Sequence, residues 1–246
     1  MSREDIAIKT RDGDCRAFVF TPAGAGPWPA AIFLMDGLGI RPALHEMGQR
    51  LADAGYVVLL PDLFYRYGAY EPLDPKVIFA SGEARKLLAP MFASTSNQKA
   101  GEDSEAYIAF LSARKDVSGA KIGVTGYCMG GGMALTAAGL YPDRIAVAAS
   151  FHGGRLATDD PMSPHLLAPN IKAFVYVGAA VDDNSYPPDM AARFEQALTN
   201  AGVPHRCETY DGALHGWTMP DFPVYNEAAA ERHWRELTAL FAARLR

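Results

Sequence analysis

The sequence predicts an α/β fold in which a mostly parallel β-sheet is covered by helices on both faces. Apolar runs rich in β-branched residues recur along the chain, as expected of strands buried on both faces. These runs are 30–35, 56–60, 121–125, 145–150 and 171–177. Segments with a helical spacing of apolar residues lie between them, at 43–54, 103–113, 129–140, 189–201 and 226–245. Because strands and helices alternate, we expect parallel strands joined by helical crossovers.

Turn residues mark where several of these elements end. Gly55 and Gly202 each follow a predicted helix directly, and glycine readily adopts the left-handed conformation that ends a helix. A further short strand is expected at 206–210. The two longest irregular segments are rich in glycine, proline and aromatic or polar residues, and we expect them to form loops over the carboxyl edge of the sheet; they are 64–75 and 152–170.

Composition indicates a folded globular protein. Of the 246 residues, 49% are hydrophobic and 21% are charged, which is typical of globular domains. Neither an internal repeat nor a change in composition marks a linker, so a single domain spanning 1–246 is expected. The formal net charge of -5 disfavours general binding to nucleic acid or to an anionic membrane. A small molecule is therefore the expected partner.

The cellular compartment is inferred from the N-terminus and the cysteines. The first residues are charged and lack the apolar run of a secretory signal, and no stretch approaches the roughly 18 apolar residues of a spanning helix. Cys15, Cys128 and Cys207 are an odd and sparse set, unlike a disulfide framework, and they lack the pairs of a structural zinc site. These features predict a cytoplasmic protein without a metal site.

The most informative segment surrounds Cys128. The predicted strand 121–125 continues into Gly126-Tyr127-Cys128-Met129-Gly130 and then into a predicted helix. This is the nucleophile-elbow pattern with cysteine in place of serine, in which small residues are needed two positions on either side of the strained turn. The helix N-terminus also favours a thiolate. The alternative is that Cys128 is a small buried residue without reactivity.

An acid and a histidine follow in the order that such a site requires, each after a later predicted strand. Asp182 and Asp183 follow the strand 171–177, and His215 lies on a tight loop after the short strand 206–210. The histidine could accept the proton of the thiol and deliver it to a leaving oxygen, while one aspartate fixes its orientation. The alternatives are a loop histidine bonded to backbone, and aspartates that form a solvated turn or a helix cap.

The first predicted strand ends at a position where this type of site places an oxyanion donor. Asp36 and Gly37 follow that strand, and the backbone N–H groups of Gly37 and Met129 are the expected pair of donors. Asp36 is a carboxylate close in the fold to the expected nucleophile. It could interact with the thiol of Cys128 or be an ordinary turn residue.

These residues resemble the dienelactone hydrolase (carboxymethylenebutenolidase) family of the α/β-hydrolase superfamily. The resemblance spans most of the chain and rests on four segments: Gly126 to Gly131, Asp183, Gly212 to Gly216, and Ala54 to Leu63 with its Gly-Tyr-Val-Val and Pro-Asp-Leu strings. It implies an α/β-hydrolase fold, a Cys-Asp-His triad, no cofactor, and cleavage of an enol-lactone or related ester. It also favours Asp183 over Asp182 as the acid of the triad.

The resemblance also identifies positions at which this chain differs from family members that act on dienelactone. Family members that act on dienelactone have a thiol-gating glutamate at the position of Asp36, and two arginines that bind the carboxylate of the substrate. Met219 stands at the position of one of these arginines, and Arg85 aligns loosely with the other. Methionine cannot form the bidentate contact of an arginine with a carboxylate. The expected function is hydrolysis of a small ester or lactone, with a thioesterase, a peptidase or a non-catalytic binding protein as alternatives.

Overall fold

One sheet of eight strands forms the centre of the computed structural model, which describes residues 2–246. The strands are β1 (Ser2–Thr10), β2 (Gly13–Thr21), β3 (Ala30–Leu34), β4 (Val57–Pro61), β5 (Ile122–Tyr127), β6 (Ile145–Phe151), β7 (Phe174–Ala179) and β8 (His205–Thr209). Their order in the sheet is β1-β2-β4-β3-β5-β6-β7-β8. The six strands β4-β3-β5-β6-β7-β8 are parallel to one another. Strand β2 pairs antiparallel with β4 on one side and with β1 on the other. The predicted α/β fold is confirmed.

Seven α-helices connect or flank these strands. They are α1 (Pro42–Asp53), α2 (Pro75–Ala80), α3 (Ala84–Ser94), α4 (Asn97–Ala113), α5 (Met129–Leu140), α6 (Pro188–Asn200) and α7 (Glu227–Leu245), together with a 3₁₀ helix at Pro164–Asn170. Within residues 2–246, none of the helices combines the length and the apolar character needed to cross a bilayer.

The parallel strands form the centre of the core because both of their faces are covered. Every residue of β3, β4 and β5 is buried, which explains why their sequences are nearly continuous apolar runs. Helix α5 is also buried along almost its whole length. It directly follows β5, so the residue between them is held by two of the most deeply buried elements of the fold.

The N-terminal hairpin was not among the predicted strands. In β1 the buried positions, Ile8 and Thr10, alternate with exposed and mostly charged residues. Such alternation is typical of an antiparallel edge strand with one solvated face. The strand lacks the continuous apolar run by which parallel strands buried on both faces are recognised in a sequence.

Two further helices lie where the sequence predicts no regular structure. Helices α2 and α3 are mostly exposed, and Pro90 lies inside α3. Neither helix has the strong apolar face by which an amphipathic helix is recognised in a sequence. The predicted loop at 152–170 is irregular as far as Ser163 and ends in the 3₁₀ helix.

Candidate active site

Cys128 lies at the sharp turn between β5 and α5. Its backbone has φ 54° and ψ -117°, a conformation that an L-residue adopts only when its surroundings enforce it. A Cβ atom on Gly126 would lie 1.9 Å from the carbonyl oxygen of Gly130, and one on Gly130 would lie 2.5 Å from that of Leu34. Both glycines are therefore required by close backbone contacts. The spacing that predicted an elbow has this steric origin.

His215 and Asp183 form a short hydrogen bond beside this turn. Nδ1 of His215 lies 2.6 Å from Oδ2 of Asp183, whose side chain is 5% exposed. The other carboxylate oxygen accepts the backbone N–H of Ser185 at 2.8 Å and its hydroxyl at 2.7 Å. Asp182 is exposed and has φ 49°. Of the two neighbouring aspartates, Asp183 is the one that the structure brings to His215.

The pair is held in its charged form. Burial alone would lower the pKa of His215, but its hydrogen bond with Asp183 and the nearby Cys128 outweigh burial and raise that pKa to about 10. Burial would raise the pKa of Asp183, yet the bonds from His215 and Ser185 outweigh burial and lower it. A raised pKa of His215 and a lowered pKa of Asp183 both favour the ion pair. This pair of an imidazolium and a carboxylate lies beside Cys128 in the same cavity.

One cavity opens at Cys128, and a second cavity adjoins it. The first has a volume of about 660 Å³ and is lined by Cys128, Asp183 and His215 together with Phe92, Met129 and Arg155. The second, of about 440 Å³, shares Phe92, Met129, Gly154 and Arg155 with it and extends towards Asn97 and Met133. The residues predicted as nucleophile, acid and base thus line one cavity, although they come from three separate segments of the chain.

Of the two predicted oxyanion donors, Met129 lines the cavity, and Gly37 lies behind the lining residue Phe92. Met129 is the first residue of α5, so its N–H has no acceptor within the helix. Gly37 follows β3 and is buried, and a Cβ atom there would lie 2.8 Å from the ring of Phe92, which lines both cavities. These positions suit amides that stabilise an oxyanion, and their role stays a prediction.

Asp36 is paired with Arg41 and does not interact with the thiol of Cys128, the role considered for it from the sequence. Its carboxylate forms a bidentate ion pair with Arg41, at 2.7 and 2.9 Å, and also accepts the backbone N–H of Leu38 at 2.7 Å. Arg41 in turn contacts Asp221 at 2.6 Å. Asp36 and Arg41 are both almost completely buried. The carboxylate is thus engaged in a structural ion pair, which argues against gating of the thiol.

We expect Asp36→Asn to destabilise the fold without changing the reactivity of Cys128. The change removes the bidentate contact of the buried Arg41 guanidinium and leaves Asp221 as its remaining carboxylate partner, at a cost of about 3 kcal/mol in the free energy of unfolding. Urea denaturation and the rate of thiol alkylation measure the two effects. Asp53→Asn is the control, because Asp53 is exposed. An alkylation rate that changes tenfold with unchanged stability would restore the gating role.

Sequence reasoning assigned no functional role to several residues that lie at the site, and it favoured a packing or surface role for His152. His152 is buried, and its Nδ1 accepts the backbone N–H of Cys128 at 3.1 Å. Phe92 and Arg155 line both cavities. His152 directly follows β6, so its place at the carboxyl edge of a parallel sheet was an available signal. Phe92 lies on α3, a helix without a clear sequence pattern.

The two positions compared with carboxylate-binding arginines lie outside the cavities. Met219 is fully buried in the core, and Arg85 is exposed on α3. In the part of the chain that the structure describes, no three His, Cys, Asp or Glu side chains are grouped so that they could hold a metal ion.

Comparison with known proteins gives a consistent result. The family model described as "Dienelactone hydrolase family" matches residues 15–245. A Synechocystis sp. protein provisionally named a carboxymethylenebutenolidase is 27% identical over 248 aligned residues, which cover 98% of this chain and 96% of that protein. The carboxymethylenebutenolidase of Rhodococcus opacus is 26% identical, with 95% of this chain and 88% of that protein covered.

Solved structures agree on the fold. A Klebsiella pneumoniae protein provisionally described as a dienelactone hydrolase has a TM-score of 0.84 to this chain at 22% identity, over 98% of both chains. This likeness shows the α/β-hydrolase fold. Because the family model extends over nearly the whole sequence, the chain belongs to the dienelactone hydrolase family of hydrolases.

Proposed function

We propose that this protein hydrolyses small esters or lactones through Cys128, with His215 as the proton carrier and Asp183 as the residue that orients it. The observation that carries the proposal is that Cys128, at a strained turn, shares one cavity with the hydrogen-bonded pair of His215 and Asp183. A nucleophile, a base and an orienting acid in this arrangement are the parts that acyl transfer requires. Membership of a family of ester and lactone hydrolases supports the same chemistry.

The proposed reaction has two halves. The Cys128 thiolate attacks the carbonyl carbon, and the backbone amides of Gly37 and Met129 stabilise the resulting oxyanion. When the C–O bond breaks, the imidazolium of His215 gives its proton to the leaving oxygen and a thioester remains on Cys128. Neutral His215 then takes a proton from water, whose oxygen attacks the thioester. The acid is released, and the thiolate and imidazolium are restored.

A substrate panel tests the proposed function. Steady-state hydrolysis of a neutral aryl ester, an enol-lactone, an acyl thioester and a peptide anilide separates the reaction classes. The proposal predicts that the ester or the lactone has the highest kcat/KM. If only the thioester or the anilide is cleaved, the protein is a thioesterase or a peptidase. If none is cleaved and Cys128 is unreactive towards alkylating agents, the protein is a binding protein.

Arg155 supplies a positive charge where the two cavities meet. The residue is exposed, lines both cavities and has φ 56°. Its backbone N–H donates to the carbonyl of Ser185 at 2.7 Å, which ties it to the loop that carries Asp183. A guanidinium in this position favours a substrate with an anionic group. Asp160 and Asp182 also line these cavities, so we expect a modest preference.

We therefore expect Arg155→Gln to reduce the preference for anionic over neutral substrates. The measurement compares two esters that differ only in a carboxylate and the corresponding carboxamide. Loss of one charge-assisted hydrogen bond predicts that the ratio of their kcat/KM values falls by about tenfold. Arg85→Gln, an equal change outside the cavities, should leave the ratio unchanged. An unchanged ratio in Arg155→Gln would remove this part of the proposal.

A further inference from the structure

His152 is a buried histidine that the proposed reaction does not use. It directly follows β6 and is 1% exposed. Its φ of 40° lies in the left-handed region, which is uncommon for residues other than glycine. Its backbone N–H donates to the carbonyl of Gly178 at 2.8 Å. The residue is thus fixed in an unusual conformation close to the reactive turn.

Both ring nitrogens of His152 are hydrogen-bonded. Nδ1 accepts the backbone N–H of Cys128 at 3.1 Å, and Nε2 lies 2.7 Å from Oγ1 of Thr218. Because Nδ1 is an acceptor, the neutral ring carries its proton on Nε2, which donates to Thr218. Burial, with smaller contributions from His215 and His233, holds the pKa of His152 well below its usual range. The ring therefore stays neutral in this single tautomer.

The two partners belong to different parts of the proposed machinery. Cys128 stands at the turn between β5 and α5, whereas Thr218 follows His215 on the segment between β8 and α7. The ring of His152 also contacts the ring of His215 edge-on, with centroids 5.2 Å apart, and that of Trp217 at 5.0 Å. His152 is therefore in contact with both the nucleophile segment and the base segment.

We propose that His152 is a positioning residue that sets the placement of His215 relative to Cys128, by linking the amide of Cys128 to Thr218. The proposal rests on the proposed function. The N–H of Cys128 also donates to the carbonyl of Phe151 at 3.1 Å, so loss of His152 would not leave this amide unsatisfied. The role of His152 is geometric, and its loss should reduce kcat more than it raises KM.

The first test changes Thr218, which is the end of the hydrogen-bonded link from Cys128 through His152. Thr218→Val removes the hydroxyl at nearly constant volume, and we expect kcat to fall about tenfold with KM within about twofold of the wild-type value. Thr218→Ser keeps the hydroxyl and should recover most of the loss. The control is Thr136→Val, which removes a buried hydroxyl that donates to the Gly132 carbonyl within α5. A kcat for Thr218→Val equal to that of the control would overturn the proposal.

Variants of His152 test whether the link acts as a unit. His152→Asn keeps an acceptor near Nδ1 and tolerates the positive φ, but it is too short to reach Thr218. If the link is continuous, adding Thr218→Val to His152→Asn causes no further loss of kcat. If the two losses multiply, the residues act independently and the proposal fails. Protein concentrations are corrected for the folded fraction, so that instability is not counted as lost activity.

Failure of this proposal is distinguishable from failure of the proposed function. If Cys128→Ala abolishes hydrolysis but Thr218→Val retains the wild-type kcat, only the positioning role is wrong. If Cys128→Ala retains hydrolysis, the assignment of the nucleophile is wrong, and the positioning role fails with it.

Discussion

Replacing Cys128 with alanine is expected to lower kcat/KM for ester or lactone hydrolysis by at least about a thousandfold, because loss of the nucleophile removes the covalent route. The thiol stands at the strained turn where His215 raises the local positive charge, and neither of the other cysteines shares this setting. Hydrolysis of the preferred substrate of the panel by wild type and variant measures the effect. Binding of a product analogue shows whether the cavity survives the substitution.

Cys207→Ala is the matched control. Cys207 is half-buried like Cys128, but burial raises the pKa of its thiol to about 12, so it remains protonated and unreactive at neutral pH. The variant should retain the wild-type kcat/KM. If Cys128→Ala keeps more than about a tenth of the wild-type value, covalent catalysis by this residue is wrong.

The second large effect is expected from Asp183→Asn. Without the carboxylate, His215 loses the partner that fixes its tautomer and orientation, and kcat should fall by about a thousandfold or more. Asp182→Asn changes the neighbouring exposed residue in the same way and should leave kcat within about twofold. Equal losses in both variants would contradict the assignment of Asp183.

The pH dependence of the two enzymes gives a second readout. In the proposed reaction His215 acts as an acid towards the leaving oxygen, and its hydrogen bond to Asp183 contributes to a pKa of about 10. The wild-type rate of acylation, measured as the burst of leaving group in the first turnover, should therefore decline only as pH rises through that value. In Asp183→Asn the imidazolium is less stabilised, so its pKa is lower and the decline should begin at lower pH. A decline at the same pH in both enzymes would show that Asp183 does not control the proton of His215.

Much of this site could be predicted because its geometry is local. Gly126 and Gly130 are required by contacts with nearby backbone, and the strand, turn and helix around Cys128 are consecutive in sequence. The carboxyl ends of parallel strands meet at one edge of the sheet, so the loops that follow β5, β7 and β8 converge there. The order of Cys128, Asp183 and His215 along the chain was sufficient to expect them in one cavity.

The remaining features depend on contacts between distant segments. The partner of Asp36 is Arg41, and which way a buried carboxylate turns is decided by packing that sequence does not display. His152 meets Thr218 only because the segments after β6 and β8 cross at the sheet edge. The contact of Phe92 with Gly37 depends on where α3 lies, and that exposed helix has no strong sequence pattern.

Mass spectrometry of the enzyme quenched during turnover of an activated ester tests covalent catalysis by Cys128 directly. We expect a covalent acyl adduct on the peptide that contains Cys128, and this adduct should disappear when substrate is exhausted. Turnover with no adduct on Cys128, or with an acyl group that accumulates on another residue, would contradict covalent catalysis by Cys128.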